Sequence, residues 1–315
     1  MAFGDPMVLD TRYNWSLSTR DNFDTMLVGG KFDGSALDVD GISPIGWAAL
    51  NPYSDGTFSM LSGTRTGGSG SRVYRVQYTS VGAHELVTIS QVARLLGNER
   101  YEVNGHAARP FAFTIWAKNA GTGTVTIRLT MQALQEDITT PVSADTIIES
   151  AVSLTGTWTQ YTSAVVPGSP LTAAYKLKVD CVCTATGNPD LQFDEAEFYT
   201  TYTFAVNAAM PDSPRILVPN RTYQRTPAGR LLRHRPRAGN AAKHEYDLNF
   251  GLIGLTQLRA LKSLWLLDTP LRWQPNLPHL PTYLAVLMTD NFDLRMSSPS
   301  VNSNNYSGSL RLTEY

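Results

Sequence analysis

The chain carries no excess of charge, almost no cysteine and no long apolar run. Its 26 Lys and Arg residues balance 27 Asp and Glu residues to a formal net charge of -1. Dedicated nucleic-acid-binding proteins are basic and disordered solvating chains are strongly charged, so the composition favours neither class. No run approaches the roughly 18 apolar residues of a membrane-spanning helix. The first residues lack the charged and apolar regions of a signal peptide, so we expect neither membrane insertion nor signal-directed export.

The two cysteines, Cys181 and Cys183, are two residues apart within a predicted strand. Side chains at this spacing leave the same face of a strand, so a disulfide between them is not favoured. Two cysteines also make neither a disulfide framework nor a zinc site. We therefore predict two buried thiols.

Motifs that carry catalysis are also missing. The Gly-rich segment 67–70 is followed by Ser71 and Arg72 rather than by the end of a phosphate-binding loop, and no Gly-x-Ser-x-Gly elbow occurs. The five histidines form no HExxH motif or closely spaced ligand set. Carboxylate pairs for glycoside hydrolysis meet in space, which the sequence leaves open, but the acidic doublets 136–137 and 194–195 have the pattern of turns and strand ends. We expect no enzymatic activity.

Short alternating strands dominate residues 20–200, which are rich in Gly, Thr and Ser. In the segment 124–132, apolar residues occupy every second position from Val125 to Met131, which indicates a strand with one buried face. Similar strands are predicted at 72–78, 86–92, 111–118, 158–165, 175–184 and 191–199. Seven or more short strands without intervening helices favour a β-sandwich.

A basic segment follows, and we predict a connecting arm at 205–243. Between residues 213 and 244 the chain has many arginines and no acidic residue. Such an arm either inserts between acidic neighbouring subunits, or is a solvated linker, or contacts nucleic-acid phosphates. The last interpretation lacks the interleaved aromatics of a stacking groove, so we do not expect a nucleic-acid partner. The candidate assembly residues are Arg221, Arg225, Arg230, Arg233, Arg235 and Arg237.

The last part of the chain combines strands with one helix. Thr256 opens a segment whose leucines recur at helical spacing, and strand-like runs occur at 245–250, 271–274, 282–289 and 306–313. We predict a mainly β fold in four parts. They are an N-terminal segment at 1–19, a β-sandwich at 20–204, the basic arm at 205–243 and a small α+β domain with one amphipathic helix at 244–315.

Six segments of the first domain occur in a recognisable order. They are Leu27-Val-Gly-Gly-Lys-Phe-Asp33, Ile45-Gly-Trp47, Ile89-Ser-Gln91-Val, Phe111-Ala-Phe-Thr-Ile-Trp-Ala-Lys118, Gly156-Thr-Trp158-Thr-Gln-Tyr161 and Leu191-Gln-Phe-Asp194-Glu-Ala-Glu-Phe198. Together they resemble the carbohydrate-binding modules of the family 4/9 type over about residues 20–200. The resemblance implies a jelly-roll β-sandwich that binds saccharides.

The same resemblance implies one cofactor, a structural calcium ion. It would be held by Asp33, which follows the first Phe, and by Asp194 of the last strand, because calcium prefers several oxygen ligands. This chain has Gly29-Gly30 and Asp33 where the family usually has Asn-Gly and Glu. In the alternative interpretation, Asp194 is a solvated charge at a strand edge.

Saccharide-binding modules stack sugar rings on exposed aromatic side chains. Alternation in the segment 111–118 puts Trp116 on the face opposite Phe113 and Ile115, which are predicted core residues. We therefore predict a carbohydrate-binding platform at Trp116, with Tyr74 and Tyr78 as companions. The alternative is that these rings pack under a loop or against a neighbouring subunit.

The order of segments in the C-terminal part of the chain is recognisable as well. It comprises the leucine-rich helix and the runs Glu245-Tyr-Asp-Leu-Asn-Phe250, Pro270-Leu-Arg-Trp-Gln-Pro275, Pro281-Thr-Tyr-Leu-Ala-Val-Leu-Met288 and Tyr306-Ser-Gly-Ser-Leu-Arg-Leu-Thr-Glu-Tyr315. This pattern is similar to a small domain of tail and baseplate proteins of tailed bacteriophages. The resemblance implies a virion location. It implies other virion structural proteins, copies of this chain and host cell-surface polysaccharide as partners.

One leading hypothesis and two alternatives follow. The leading hypothesis is a non-catalytic structural protein of a tailed-phage virion, associated with the tail or baseplate, whose jelly roll projects outward for adhesion or decoration. The first alternative is a free carbohydrate-binding protein or accessory module. The second is a capsid decoration or neck protein.

Overall fold

The computed structural model describes residues 7–10, 32, 36–63, 65–66, 68, 71–94, 111–142, 147–148, 151–164, 171–205, 208–209, 215–217, 222–225, 231–234, 243–265, 271–275, 284–300 and 303–314. The chain divides into two compact units, each with its own hydrophobic core. We call Asn14–Thr201 the sandwich unit. We call Met1–Tyr13 together with Tyr202–Tyr315 the split unit.

The described residues form β-strands and one helix. In chain order they are β1 (Val8–Asp10), β2 (Ala48–Leu50), β3 (Gly56–Ser62), β4 (Arg72–Tyr78), β5 (Glu85–Arg94), β6 (Phe111–Asn119), β7 (Val125–Leu134), β8 (Ile147–Ile148), β9 (Val152–Ser153), β10 (Thr159–Thr162), β11 (Ala174–Cys183), β12 (Asp190–Thr203), β13 (Arg215–Leu217), β14 (Thr222–Arg225), β15 (Leu231–His234), β16 (Lys243–Ile253), α1 (Leu255–Trp265), β17 (Leu271–Gln274), β18 (Leu284–Ser300) and β19 (Ser303–Glu314).

The sandwich unit contains two sets of antiparallel strands. Sheet I has the order β3-β4-β12-β6-β10, in which Gln192 of β12 is paired with Arg75 on one side and Lys118 on the other. Sheet II has the order β2-β5-β11-β7, and both β8 and β9 pair with β7. This arrangement agrees with the alternating, turn-rich sequence, because antiparallel strands can be joined by short connections.

Alternating apolar side chains of the two sheets share one core. Phe113 of sheet I and Leu129 and Leu177 of sheet II are buried members of it. Burying each such side chain contributes about 1.5–3 kcal/mol. Cys181 and Cys183 are free thiols in this core, and burial raises the pKa of the Cys181 thiol. The prediction of two buried thiols is therefore confirmed.

The split unit is a sheet with one helix. Its strand order is β1-β17-β18-β19-β16-β13, with antiparallel pairs throughout, and β14 and β15 pair with each other. Trp273 is the largest fully buried side chain among the described residues, and the ring of Tyr246 meets it edge-on at 5.0 Å between centroids. Leu261 and Leu264 of α1 pack into the same core. Helical spacing puts them on one face of the helix.

The predicted fold class, mainly β with a jelly-roll sandwich and a small α+β domain with one helix, is confirmed. The unit boundaries differ from the predicted ones. The predicted separate segment 1–19 contains β1, whose Leu9 is paired with Trp273 in the split unit. The predicted arm 205–243 contains β13, β14 and β15. Strands of three or four residues are too short to show a clear alternation, so the sequence pattern missed them.

No helix in the described ranges has the length and apolar character needed to cross a membrane.

Candidate functional site

Trp116 lies on the outer face of sheet I, as its alternation with the buried Phe113 and Ile115 predicted. Its ring is half-buried, because the guanidinium carbon of Arg65 lies 3.9 Å from the ring centroid. Its neighbour across the ladder on β12 is Asp194. The ring face beneath Arg65 is therefore closed to a saccharide.

Tyr74 and Tyr78 are core residues, so the prediction that they are companions of a stacking platform is wrong. Both share the face of β4 that carries the buried Val76. The Tyr74 hydroxyl donates a hydrogen bond to the Ile42 carbonyl oxygen at 2.7 Å, and its ring packs 6.0 Å from that of Phe193. Burial raises the pKa of both phenols.

Tyr53 is the one aromatic among the strongly exposed apolar side chains of the described ranges. Its side chain is 63% exposed, and it lies in the turn between β2 and β3. Its ring meets the imidazole of His84 edge-on, with 4.5 Å between ring centroids. This contact fixes one edge of the phenol ring and leaves most of its surface open. The result is a preformed apolar surface of the kind on which a sugar ring stacks.

Polar side chains hold the turn that carries Tyr53. The Nε2 atom of His84 lies 2.9 Å from Oδ2 of Asp55. The Asn51 amide, with its nitrogen turned toward Asp55, donates to Asp55 Oδ1 and to the Leu86 carbonyl oxygen, both at 3.1 Å. Its oxygen then accepts the Gly56 N–H at 2.9 Å. These contacts preorganise the turn, which lowers the entropy lost when a ligand binds.

A groove of about 420 Å³ lies along β2 and β5. Its volume lies within the range of small-molecule sites. Ser90 and Lys176 bring a hydroxyl and an ammonium to its wall, and the Gln91 amide donates to the Gly46 carbonyl oxygen and holds the loop before β2. The walls comprise Gly46, Trp47, Ala48, Ser90, Gln91, Val92 and Lys176.

Leu50 and Thr88 lie between the groove and Tyr53. They are Cα partners on β2 and β5, and Leu50 is strongly exposed. Thr88 Oγ1 donates to Asp180 Oδ1 at 2.6 Å, and Lys178 Nζ lies 2.8 Å from the same oxygen. A strand rises about 3.4 Å per residue, so Ser90 and His84 are roughly 20 Å apart along β5. We call the groove, Leu50 and Tyr53 together the β2–β5 surface.

A second cluster of polar side chains lies on the outer face of sheet I. The register of β12 shifts between Asp194 and Glu197, and Glu195 adopts a φ of 44°. This bulge turns Ala196 into the core and leaves three carboxylates on the other face. We call this group the bulge cluster. Its members are Arg65, Thr114, Trp116, Asp194, Glu195 and Glu197.

The bulge cluster does not fit a calcium ion. Asp194 Oδ2 accepts the Arg65 N–H at 3.0 Å, and the Arg65 guanidinium forms an ion pair with Glu195. A positive charge therefore already lies among the oxygens that would bind the metal. No three His, Cys, Asp or Glu side chains in the described part of the chain form a metal-binding group. Asp33 lies outside the described residues.

The alternative interpretation of Asp194 as a solvated edge charge is wrong. Asp194 and Glu195 are buried, because the bulge turns them under the loop that carries Arg65. The side chains of the predicted assembly residues Arg221, Arg225, Arg230, Arg233, Arg235 and Arg237 lie outside the described part of the structure. Only backbone pairing of β14 with β15 is described there.

The alternation of the strands does not predict Tyr53, because this residue lies in a turn between β2 and β3. The signal was the turn sequence Asn51-Pro-Tyr-Ser-Asp-Gly56, which places an aromatic among turn-forming residues. Residues in turns have no neighbour on the next strand to cover them. A large apolar side chain at such a position is therefore informative.

No protein-family model and no curated protein sequence matches the chain. Parts of it are similar to solved structures. The enzymatically active domain of tailspike protein 4 from bacteriophage CBA120 has a TM-score of 0.39 and 16% identity. That match covers 62% of this chain and 24% of the other, so the chain spans about a quarter of the tailspike structure's length.

Two carbohydrate-binding modules are also similar. The module TmCBM61, solved with β-1,4-galactotriose, has a TM-score of 0.36 and 13% identity, and the match covers 56% of this chain and 98% of the module. The xylan-binding domain CBM22-1 of Xyn10C from Paenibacillus barcinonensis has a TM-score of 0.31 and 12% identity. That match covers 55% of this chain and 90% of the domain.

Proposed function

We propose that the sandwich unit is a non-catalytic saccharide-binding domain and that it binds through the β2–β5 surface. The single observation that supports this most is Tyr53, an exposed aromatic ring on a turn held by His84, Asp55 and Asn51. The ligand class follows from chemistry. A pyranose presents an apolar face to an aromatic ring while its hydroxyls need hydrogen-bond partners around the rim.

Both hydrogen-bond acceptors and hydrogen-bond donors are available to those hydroxyls. Asp55 next to Tyr53 offers acceptor oxygens, and Ser90 and Lys176 at the groove offer donors. The distance of roughly 20 Å along β5 gives room for an extended chain rather than for a single ring. The β2–β5 surface therefore suits an oligosaccharide or polysaccharide.

Substitution of Tyr53 tests the proposal. The full chain is applied to immobilised plant and bacterial polysaccharides, and the affinity for any that bind is measured by calorimetry. Tyr53→Ala removes the stacking ring, which is worth about 1–2 kcal/mol, so we expect a roughly tenfold weaker affinity. Tyr53→Phe keeps the ring and retains most of the affinity.

Leu171→Ala is the matched control, because Leu171 is also 63% exposed but does not contribute to the β2–β5 surface. It leaves the affinity unchanged. The proposal fails if the parent protein binds no polysaccharide, or if Tyr53→Ala binds as well as Leu171→Ala. Release of reducing ends from a bound polysaccharide would contradict the non-catalytic part of the proposal alone.

We also propose that the chain is a structural component of a tailed-phage virion, located in its tail or baseplate, with the sandwich unit serving adhesion or decoration. The β18–β19 hairpin supports an assembly role. Its pairing runs to Ser300 and Ser303, whereas the described pairing of β16 with β19 stops at Tyr306. A two-stranded ribbon is marginally stable in water, so it gains by docking on another subunit.

Light scattering tests the assembly role. We expect a mass that is a multiple of the 34.6 kDa chain. A variant in which residues 297–304 are replaced by an Asn-Gly turn shortens the hairpin and returns the mass to that of one chain. Loss of assembly with retained polysaccharide binding would separate this role from that of the β2–β5 surface. A monomeric parent protein would contradict self-assembly.

A further inference from the structure

The outer face of sheet II carries more positive than negative charge. All charged residues of its described strands lie on this face, because the residues that alternate with them form the core. Cations outnumber carboxylates by four to two among them, whereas the whole chain has a formal net charge of -1. They are Glu85, Arg94, Arg128, Lys176, Lys178 and Asp180.

Both carboxylates lie toward the end of the β2–β5 surface that carries Tyr53. Glu85 is the first residue of β5, at this end of the strand. Asp180 is buried, and its Oδ1 atom accepts the hydrogen bond from the Thr88 hydroxyl at 2.6 Å. Lys178 Nζ lies 2.8 Å from the same oxygen, so the charge of Asp180 is compensated locally. The negative charge of the face is therefore used away from the groove.

Two cations lie at the groove end instead. Lys176 is exposed and forms part of the groove wall. Its Cα partner on β5 is Val92, and the exposed Arg94 lies two residues farther along the same face. Lys176 and Arg94 are thus diagonal neighbours about 7–8 Å apart. Neither forms an ion pair with a carboxylate in the described part of the chain.

Asp180 is too far away to compensate this pair. It lies four residues along β11 from Lys176, which is roughly 14 Å at the rise of a strand. Charges at the protein surface are largely screened beyond about 8 Å at physiological ionic strength. Two neighbouring like charges without a carboxylate are unfavourable, and a bound anion removes that cost.

The groove also brings a neutral donor close to Lys176. Ser90 is the Cα partner of Lys178, so it is the diagonal neighbour of Lys176 on the side away from Arg94. A lysine side chain is long and flexible enough to reach across such a diagonal. One carboxylate can then accept from the ammonium and from the Ser90 hydroxyl, and a hydrogen bond between charged groups is roughly twice as strong as a neutral one.

We propose that the polysaccharide bound by the β2–β5 surface is acidic, and that Lys176, with Arg94 beside it, binds the carboxylate of a uronic acid unit at the groove. This inference rests on the proposed function and adds the class of saccharide. A uronic acid carries its carboxylate directly on the pyranose ring, so one chain offers both the apolar ring faces for Tyr53 and the charge for the groove. Stacking and charge recognition are then separate ends of one surface.

The first test compares acidic polysaccharides with their neutral derivatives. Polygalacturonate, alginate and hyaluronan are each paired with their methyl-esterified form, and their affinity for the full chain is measured by calorimetry at low ionic strength. We expect at least one acidic polymer to bind at least tenfold more tightly than its own ester. Equal affinity for the two forms, or binding of neutral polysaccharides alone, overturns the inference and leaves the proposed function standing. Binding of no polysaccharide contradicts both.

Substitution of Lys176 identifies the group that recognises the charge. Lys176→Gln removes one charge-assisted hydrogen bond, so we expect roughly tenfold weaker binding of the acidic polymer and unchanged binding of its ester. Lys176→Arg keeps the charge and most of the affinity. Tyr53→Ala weakens the binding of both forms alike, because stacking does not depend on the carboxylate.

Arg128→Gln is the matched control. It removes the same charge from the same face, but Arg128 is on β7 and does not line the groove. We expect its affinity for the acidic polymer to change less than twofold. Equal weakening by Lys176→Gln and Arg128→Gln would mean that the overall charge of the face attracts the polymer, and the assignment of the carboxylate to the groove would be overturned.

Discussion

Asp40 is a residue whose charge determines the conformation of a loop. Its Oδ1 atom accepts the N–H groups of Ile42 at 3.0 Å and Ser43 at 2.8 Å, and the Ser43 hydroxyl donates to its Oδ2. The same hydroxyl accepts the Ala49 N–H at 2.8 Å, which ties the loop to β2. Asp40 thus helps to position the strand that carries the groove.

These hydrogen bonds lower the pKa of Asp40. The hydrogen bond from the Ser43 hydroxyl is the largest cause that lowers it from the ordinary value of 3.8, followed by the one from the Ser43 N–H. A lowered carboxyl pKa means that the contribution to folding is complete above pH 3.8. It is lost as the pH falls through the lower folded value.

We therefore expect Ser43→Ala to raise the pKa of Asp40 toward 3.8. In this variant Asp40 is protonated at a higher pH, so the loop between residues 38 and 43 loses the contribution of its carboxylate at a higher pH than in the parent protein. Carboxyl-carbon NMR titration measures the pKa directly. Asp137 is the internal control, because hydrogen bonds from Thr140 lower its pKa to about 2 in a separate turn and should keep it there. An unchanged Asp40 pKa in Ser43→Ala would contradict the assigned cause.

Aromatic residues show how far sequence reasoning reaches at this scale. Alternation within one strand is enough to place Trp116 on the face opposite Phe113 and Ile115. It is not enough for Tyr74 and Tyr78, because the face of β4 that meets the core depends on its partner β12, which is far away in the chain. Which face of a strand is buried depends on how the two sheets pack against each other. A single strand shows its two faces but not which of them meets the core.

At the scale of elements, two turns of the sandwich unit pack backbone against backbone. The Thr122 N–H donates to the Asn188 carbonyl oxygen at 2.9 Å, and Asn119 Oδ1 accepts the Asp190 N–H at 3.0 Å. A Cβ atom on Gly121 would lie 2.1 Å from the Asn188 carbonyl oxygen and 2.6 Å from the Asp190 nitrogen. Neither backbone atom can move without shifting the start of β12.

Gly121→Ala should therefore destabilise the protein by about 1–3 kcal/mol, the usual cost of an overpacked site. Chemical denaturation followed by circular dichroism measures the loss. Gly82→Ala is the matched control, because a Cβ atom there meets nothing within 4 Å. We expect it to be neutral or slightly stabilising, since alanine restricts the unfolded chain. Equal stability of the two variants would mean that the turns separate easily.

Element prediction succeeded where the alternation is long and failed where it is interrupted. The predicted strand 124–132 corresponds to β7, and the predicted start of the helix at Thr256 is one residue from its observed start at Leu255. The bulge in β12 was not predicted. Its acidic doublet resembles a strand end in the sequence, whereas in the structure the loop carrying Arg65, about 130 residues away in the chain, contacts both carboxylates.

At the scale of the whole molecule, the two ends of the chain belong to one compact unit. Leu9 of β1 is fully buried and paired with Trp273 of β17, and the Phe204 N–H donates to the Met7 carbonyl oxygen at 2.8 Å. The sequence did not reveal this because three residues of strand near a terminus resemble any short apolar run. The sandwich unit is thus an insertion within the split unit.

Leu9→Ala should weaken the split unit and leave the sandwich unit intact. Removing a fully buried leucine side chain costs about 2–5 kcal/mol. Hydrogen exchange read by mass spectrometry should show faster exchange in peptides from β17 and β18. Peptides from β7 and β11 should be unchanged. Val8→Ala, at a half-buried neighbouring position, serves as the control with a smaller effect. Equal loss of protection in both units would contradict this division.

The position of β1 has a consequence for synthesis on the ribosome. About 260 residues separate Leu9 from Trp273, its partner in the sheet. At about 5–20 residues per second, the first strand waits roughly 13–50 s before its partner exists. The sandwich unit is complete well before then and can fold while β1 is still unpaired. A nascent chain stalled near residue 205 should therefore expose a short apolar strand that chaperones can bind.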